Sequence, residues 1–380
     1  MVNRSVVVAG GGPAGLACAI ALREKGFDVR VVEQREPGRA QGSELLLPVM
    51  VHPVLRSLGV YSECLDAGVP GRAMLLSTAP GADPIKIPLP GTESVAADIP
   101  TGIGINRSAL HNILWQRAKA VGAILTPETE VVTVDNGNDG GHVTLSDGSS
   151  IEYDLLVGAD GMFSTIRAAV FPEVERPPLT GQAIWRALVP RTDESLPELL
   201  GIYYGPENRK VGIITVGDDT QYLFMSEPAV AEGMHLDASV FAKELRERLG
   251  QFDGYVATAR ESIAEDATIS YTRLHLGLVP DPWYRGRAVL VGDAAHGVTP
   301  HLAYGAGLSI EDGWVLAESL EKSSSIDNGL AAYVQRRYPR CQKAVEACAL
   351  LGASELNPEQ ISFDPMQVTR EAWQDLGTAI

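Results

Sequence analysis

Positive charge is what this 380-residue chain is shortest of. It holds 31 Lys and Arg against 48 Asp and Glu, a formal net charge of −17. Nucleic-acid phosphates and anionic lipid surfaces both call for clustered cations, so neither is an expected partner. Cysteine is also scarce. Cys18, Cys64, Cys341 and Cys348 show no CxxC or metal-ligand spacing, which argues against a disulfide framework or a metal site and points to free thiols in a reducing, cytoplasmic setting. No stretch approaches the ~20 consecutive apolar residues of a membrane-spanning helix. The run SVVVAGGGPAGLACAIAL from Ser5 to Leu22 is broken by three glycines and a proline and lacks a basic start, so it does not read as a signal peptide.

A second glycine-rich dinucleotide loop is missing as well. Gly102-Ile103-Gly104 and Gly305-Ala306-Gly307 each lack the third glycine at the required spacing. The one complete loop lies at the start. Val6 to Ala9 is a β-branched strand signal, Gly10 to Gly15 reads GGGPAG, Leu16 to Lys25 is helical, and DVRVVE ends a second strand at Glu33. In such a βαβ unit Gly10 permits the tight turn, Gly12 lets the backbone approach a pyrophosphate, and Gly15 lets helix and strand pack closely. Glu33 falls where a carboxylate accepts from a ribose hydroxyl. Ala14, Gln34 and Arg35 flank these positions and join the expected cofactor set, and Arg39 is also placed to reach it.

Two later strands stop in a similar way. After three alternating strands joined by Asn-Asp-Gly and Ser-Asp-Gly turns, Leu155 to Val157 runs into Ala159-Asp160-Gly161, with Ser164 and Arg167 on a following helix. Ala288 to Val291 runs into Gly292-Asp293. Two apolar strands ending at an Asp beside a Gly suit an elongated cofactor lying across the carboxyl ends of a sheet.

Taken together, GGGPAG, VVEQR, INRSAL, VGADGMFSTIR and VGDAAHGVTPHLAYGAGLSIEDG resemble the FAD-dependent single-component aromatic hydroxylases, the group A flavoprotein monooxygenases of the para-hydroxybenzoate hydroxylase type. The resemblance runs from Gly10 to Asp312. It implies an α/β fold: a Rossmann-type FAD-binding domain with a parallel sheet, an inserted antiparallel-sheet substrate domain, and C-terminal helices. The expected boundaries are 1–72, 100–180 and 265–350 for the FAD-binding domain, 73–99 and 181–264 for the substrate domain, and 351–380 for a helical tail.

By the same resemblance Arg107 contacts the FAD phosphates, Asp160 and Gly161 serve FAD and NAD(P)H binding, and Gly292-Asp293 holds the ribityl chain. Pro300 opens the loop beside the flavin ring. Gly305, Ala306 and Gly307 leave backbone bare at its pyrimidine edge, with Ser309, Glu311 and Asp312 in the first turns of the helix that starts there. Gly42-Ser43-Glu44 and Tyr304 depart from the family pattern. His296 is expected to support its loop.

The implied reaction uses FAD, NADPH or NADH as transient co-substrate, and O2 to hydroxylate a small aromatic or N-heteroaromatic compound, in a monomer or homodimer. Candidate substrate residues are Trp185, Arg186, Tyr203, Tyr204, Tyr222 and Phe224, on segments that alternate like strands. His301, with Pro300 and Tyr304 beside it, is the candidate catalytic group, as a base toward a phenol or ring N–H. Two alternatives stand beside this reading: epoxidation, Baeyer–Villiger insertion or oxidative decarboxylation of a larger natural product on the same fold, or a flavin-binding module without turnover.

Overall fold

A computed structural model describes residues 4–36, 44–79, 81–192, 194–230 and 237–380. Arg39 and the Gly42-Ser43 pair lie outside the described residues. The β-branched segments assemble a six-stranded sheet in the order Tyr284–Arg285, Ala288–Leu290, Leu155–Gly158, Ser5–Ala9, Asp28–Val32, Ile124–Thr126. All pairs are parallel except the first. Val6, Val7 and Val8 are buried, as are Leu155 to Val157 and Ala288 to Leu290, so the central strands are covered on both faces, the normal state of parallel strands.

The helix Pro13–Glu24 covers one face. It begins on a proline, which fits a first-turn position because its missing N–H is unpaired there anyway. Residues Ala14 to Leu22 are all buried, because the helix Gly305–Lys322 packs across it. Gly313 permits that approach: a Cβ on it would lie 2.4 Å from the backbone nitrogen of Cys18. The expected three-stranded antiparallel sheet forms from Val131–Asn136, Gly141–Leu145 and Ser150–Tyr153.

A seven-stranded sheet has the order Ile269–His275, Leu179–Pro190, Thr220–Pro228, Lys210–Thr215, Leu200–Tyr204, Ala73–Ser77, Ile85–Pro88. It departs from the expectation in two ways. Leu200–Tyr204 and Ala73–Ser77 run parallel, and the strand Ile269–His275 extends the sheet past residue 264. Alternation gives the sheet two faces. Trp185, Ala187, Tyr203, Val211, Ile213, Leu223 and Met225 share one, in a core with the helices Phe241–Leu249 and Gly254–Glu261. Ile184, Arg186, Ile202, Tyr204, Lys210, Gly212, Tyr222, Phe224 and Ser226 alternate onto the other, where Tyr222 and Phe224 pack in a cluster that includes Leu46, Leu89 and Ala303.

The helix Ile326–Leu356 continues unbroken through residue 351 and carries Pro365–Leu376 against it through Arg340, whose Nη2 donates to the Leu376 carbonyl at 2.6 Å. Among the described residues no helix is long and apolar enough to cross a membrane.

Candidate cofactor and active site

The glycine loop has the shape its sequence calls for. Gly10 takes φ +106°, open to glycine at little cost, and a Cβ there would lie 2.4 Å from the Ala159 carbonyl oxygen. A Cβ on Gly15 would lie 1.9 Å from the Gly10 oxygen, whereas Gly12 faces open space. Gly12 also precedes a helix start with no side-chain cap and no acid in its first turn, so its N–H groups are left for an anion. Glu33 is held in place by its own loop: Oε2 accepts from Gly11 N at 2.6 Å and Oε1 from Arg35 N at 2.9 Å. Gln34 is exposed beside it.

The helix Arg107–Ala120 buttresses this loop. The ring nitrogen Nε2 of His111 hydrogen-bonds to the Gly11 carbonyl at 3.0 Å, and the ring stacks on Trp115. The carbonyl can only accept, so Nε2–H is the donor, and burial holds the ring below the ordinary histidine value. Asn106 caps the helix, accepting from Ser108 N and Ala109 N, and donates to Glu44 Oε1 at 2.8 Å. Arg107, the first residue of this helix, lies within charge range of Asp293, Arg186, Glu44 and Tyr222. Burial there lowers its basicity, and Asp293 opposes that. The Arg186 Nε is buried without an acceptor. Two guanidiniums facing one cleft, one with an unpaired donor, suit a ligand that brings acceptor oxygens.

At the second strand end, Asp160 does a different job from the one expected of its side chain. It accepts from the Ser164 hydroxyl, Thr165 N at 2.7 Å and Ile166 N at 3.0 Å, so the carboxylate is turned onto the start of helix Thr165–Val170. Burial still raises its pKa against those donors. Gly161, at φ +84°, faces open space. Arg167 ties this loop to the third strand end, donating to the carbonyls of Met162 at 2.7 Å and Ala294 at 2.9 Å.

Gly292 is where two helix starts converge. At φ +59°, a Cβ on it would lie 2.8 Å from the Ala14 Cβ and 3.0 Å from the Ser309 Oγ. Its N–H donates to Asp312 Oδ2 at 2.7 Å. Asp293, next along, opens onto the cleft. The surrounding protein raises its carboxyl above the ordinary range, with His296 and Arg107 opposing.

Behind that corner lies a buried ionic network. Asp312 accepts from His296 at 2.6 Å and from Arg337 Nε at 2.7 Å; Glu311 accepts from Arg337 Nη1 at 2.7 Å, Arg340 and the Tyr304 hydroxyl. His296, Asp312 and Cys341 gather three ligand-type atoms within 4.8 Å, but Arg337 already supplies the compensating cation. Glu311 and Asp312 lie in the second turn of this helix, within the first turns expected from the sequence, and pair there with Arg337 and Arg340. His296 supports its loop, as the sequence suggests.

Tyr304 is correspondingly withdrawn from the expected catalytic set. It is 1% exposed, its hydroxyl is committed to Glu311, and burial beside that carboxylate pushes its pKa well up. Gly307 makes room for that ring, with a would-be Cβ 2.3 Å from it, while Gly305 and Ala306 open the helix without a side-chain cap. Trp185 and Tyr203 are corrections as well. Strand parity puts both on the far face of the sheet, where the indole N–H donates to Glu227 at 2.6 Å. Arg186, Tyr204, Tyr222 and Phe224 take the near face. Pro300 is exposed at the start of the turn Pro300–Leu302. His301 has no spare nitrogen: Nδ1 meets the Thr299 hydroxyl at 2.7 Å and Nε2 meets Glu355 at 3.2 Å, so it is not a free base.

These features fit one elongated dinucleotide: a bare Gly12, two uncapped helix starts meeting at Gly292, a pair of guanidiniums and an acid open to the cleft. The family model described as "FAD binding domain" matches residues 3–348. The chain belongs to this family. Similar curated proteins include aurachin C monooxygenase/isomerase of Stigmatella aurantiaca, 29% identical over 92% of this chain and 88% of that one. The 2-heptyl-3-hydroxy-4(1H)-quinolone synthase of Pseudomonas aeruginosa is 30% identical over 82% and 80%, and the 6-hydroxynicotinate 3-monooxygenase of Bordetella bronchiseptica 27% over 86% and 85%. Among solved structures, 2-methyl-3-hydroxypyridine-5-carboxylic acid oxygenase superposes with a TM-score of 0.80 at 26% identity, covering 97% of each chain. The family's α/β architecture, FAD as cofactor and flavin-dependent monooxygenase chemistry therefore stand. His111, Asn106 and Glu355 were missed; of these, only Asn106 carried a sequence signal, as a helix cap directly before Arg107.

Proposed function

We propose that this protein hydroxylates a small aromatic or N-heteroaromatic compound with NADPH or NADH and O2. The observation that carries the reading is the near face of the seven-stranded sheet, which sets Arg186 beside an aromatic and aliphatic cluster that reaches the Pro300 turn through Ala303. One row of it is Arg186, Phe224, Gly212 and Ile202. Gly212 is required there: a Cβ would lie 2.0 Å from the Phe224 ring. Tyr222 tilts against Phe224 at 5.7 Å, and Leu46, Leu89 and Ile214 close the apolar side. Such walls keep water from a reacting ring.

FAD, when bound, supplies electron transfer from the reductant and activation of dioxygen. The residues present would hold it at the Gly10–Gly15 loop, Glu33, Arg107 and Asp293. Arg186 brings a donor without an acceptor to the patch, which favours a substrate with an anionic or carbonyl oxygen. The hydroxypyridine and quinolone names of several relatives support an N-heterocycle. Four buried cysteines, each without a disulfide, fit a reducing, cytoplasmic setting, and a monomer or homodimer is the assembly proposed.

The test is a screen of phenols, hydroxypyridine carboxylates and quinolones for stimulated NADH or NADPH oxidation, followed by product analysis under labelled dioxygen. One labelled atom in a ring hydroxyl is expected. Label found only in peroxide or water across the panel would overturn the reading, and label in a non-aromatic product would favour another oxygen insertion on the same fold.

A further inference from the structure

The end of the long C-terminal helix places a carboxylate at the centre of a buried polar cluster. Glu355, 8% exposed in its side chain, lies one residue before the end of the helix Ile326–Leu356. It accepts from Lys210 Nζ, from Gln182 Nε2 at 2.9 Å, from Ser226 Oγ at 3.3 Å and from His301 Nε2 at 3.2 Å. Three of these donors come from three adjacent strands of the seven-stranded sheet; the fourth comes from the Pro300 turn. Asn208 Nδ2 fastens the helix end by donating to the Leu356 carbonyl at 2.9 Å. An anion at a helix C-terminus meets the unfavourable end of the dipole, so the helix gains nothing from this carboxylate; its donors keep it.

The cluster fixes the state of His301. To donate to a carboxylate, Nε2 must carry the proton, and Nδ1 then accepts from the Thr299 hydroxyl, itself in a buried residue. Burial and the nearby Lys210 hold the ring neutral against Glu355. The other titratable groups around the cluster, Tyr204 and Cys348, are both held protonated by burial. The turn that follows needs such a tie. Ala303 sits at φ +51°, a left-handed conformation that a non-glycine residue keeps only where its surroundings impose it.

We propose that Glu355 is a positioning residue: through His301 it locks the Pro300–Ala303 turn against the near face of the sheet, and so sets the space in which the ring is held. The identity of that ring rests on the reading above; the lock does not.

The test uses FAD-loaded full-length protein with 15N-labelled histidine and backbone hydrogen exchange, neither of which needs turnover. In the wild type His301 should show the neutral Nε2–H tautomer throughout pH 6–8. Glu355→Gln should mix the tautomers and speed exchange in residues 299–304 at least tenfold, while the FAD dissociation constant moves less than threefold. Lys210→Met, a second variant should the first fail to fold, should let His301 protonate nearer neutral pH. Asn208→Ala, which frees the helix end without touching the cluster, should leave the tautomer unchanged. An unaltered tautomer and unaltered exchange in Glu355→Gln would overturn the proposal, as would a tenfold loss of FAD affinity, which would place the fault in the cofactor site. A protein that oxygenates no aromatic compound would defeat the functional reading while leaving these signals readable.

Discussion

Gly307 and the ring of Tyr304 occupy one another's space: a Cβ on the glycine would lie 2.3 Å from Tyr304 Cε2. Its φ is not in the left-handed region, so backbone freedom is not what the position needs. The sequence reading assigned this glycine to the flavin edge; the contact assigns it to the tyrosine. Gly307→Ala should therefore destabilise the fold by about 1–3 kcal/mol through overpacking. Melting temperature should fall equally in apo and FAD-loaded protein, and the same glycine substitution should cost less in a Tyr304→Ala background, where the clash is gone. A variant whose apo form melts normally while FAD binding weakens would return the glycine to the cofactor.

Asp293 is open to the cleft, whereas the Asp160 carboxylate is spent on a helix start, so the two strand-end acids should behave differently. Asp293→Asn should lower FAD affinity by about 1.5–3 kcal/mol, the worth of a hydrogen bond to a charged group. Because the Asp293 carboxyl is raised above 3.8, wild-type affinity should begin to fall with acid at a higher pH than an ordinary aspartate would give, and the asparagine variant should lose that dependence. Asp160→Asn should instead lower stability with little change in affinity. Fluorescence titration of FAD and thermal melts across pH separate the two.

Strand parity makes Trp185 and Arg186 opposite cases despite their adjacency. Trp185→Phe removes the donor to Glu227 and should cost about 1–3 kcal/mol of stability, since a buried carboxylate loses a partner, without altering affinity for FAD or substrate. Arg186→Gln should leave the melting temperature nearly unchanged and weaken ligand binding at least tenfold. Reversed outcomes would mean that the near face is not the ligand face.

Local chemistry made the βαβ unit legible, because strand, glycine loop, helix and second strand follow one another directly in the chain, although the Ala159 carbonyl that crowds Gly10 comes from a distant strand end. The near-face positions Arg186, Tyr222 and Phe224 could be named but not separated from Trp185 and Tyr203, since the sheet's ligand face depends on which side the helices Phe241–Leu249 and Gly254–Glu261 cover. Glu355 was illegible for a stronger reason. Its donors come from residues 182, 210, 226 and 301, and nothing in a helical pattern marks one surface glutamate as the one that will be buried. The acids of the IED motif, placed by sequence in the first turns of their helix, find their partners Arg337 and Arg340 on a different helix.

The pair His296–Asp312 gives a pH signature that can be worked out from its charges. Burial alone would lower His296, but Asp312 and Cys341 together with their hydrogen bonds hold it well above its ordinary 6.5; burial alone would raise Asp312, but His296, Arg337 and the Gly292 N–H together hold it below 3.8. A histidine whose folded pKa is raised contributes stability that is fully present below the unfolded value and is lost as pH rises through the folded one. A carboxylate whose folded pKa is depressed contributes stability present above its unfolded value and lost as pH falls through the folded one. The two contributions coexist between about pH 5 and 6.5. Above that window the folded protein still holds the imidazole proton while the unfolded chain has released it, so the stability contributed by His296 should decline with pH at a slope of at most one proton per molecule. Urea unfolding of wild type and His296→Gln at pH 6, 7 and 8, at fixed FAD, should show a gap that is widest at pH 6 and narrows stepwise. A gap that is flat or widens with pH would mean that the buried histidine is neutral in the folded protein, and that Arg337 alone balances Asp312.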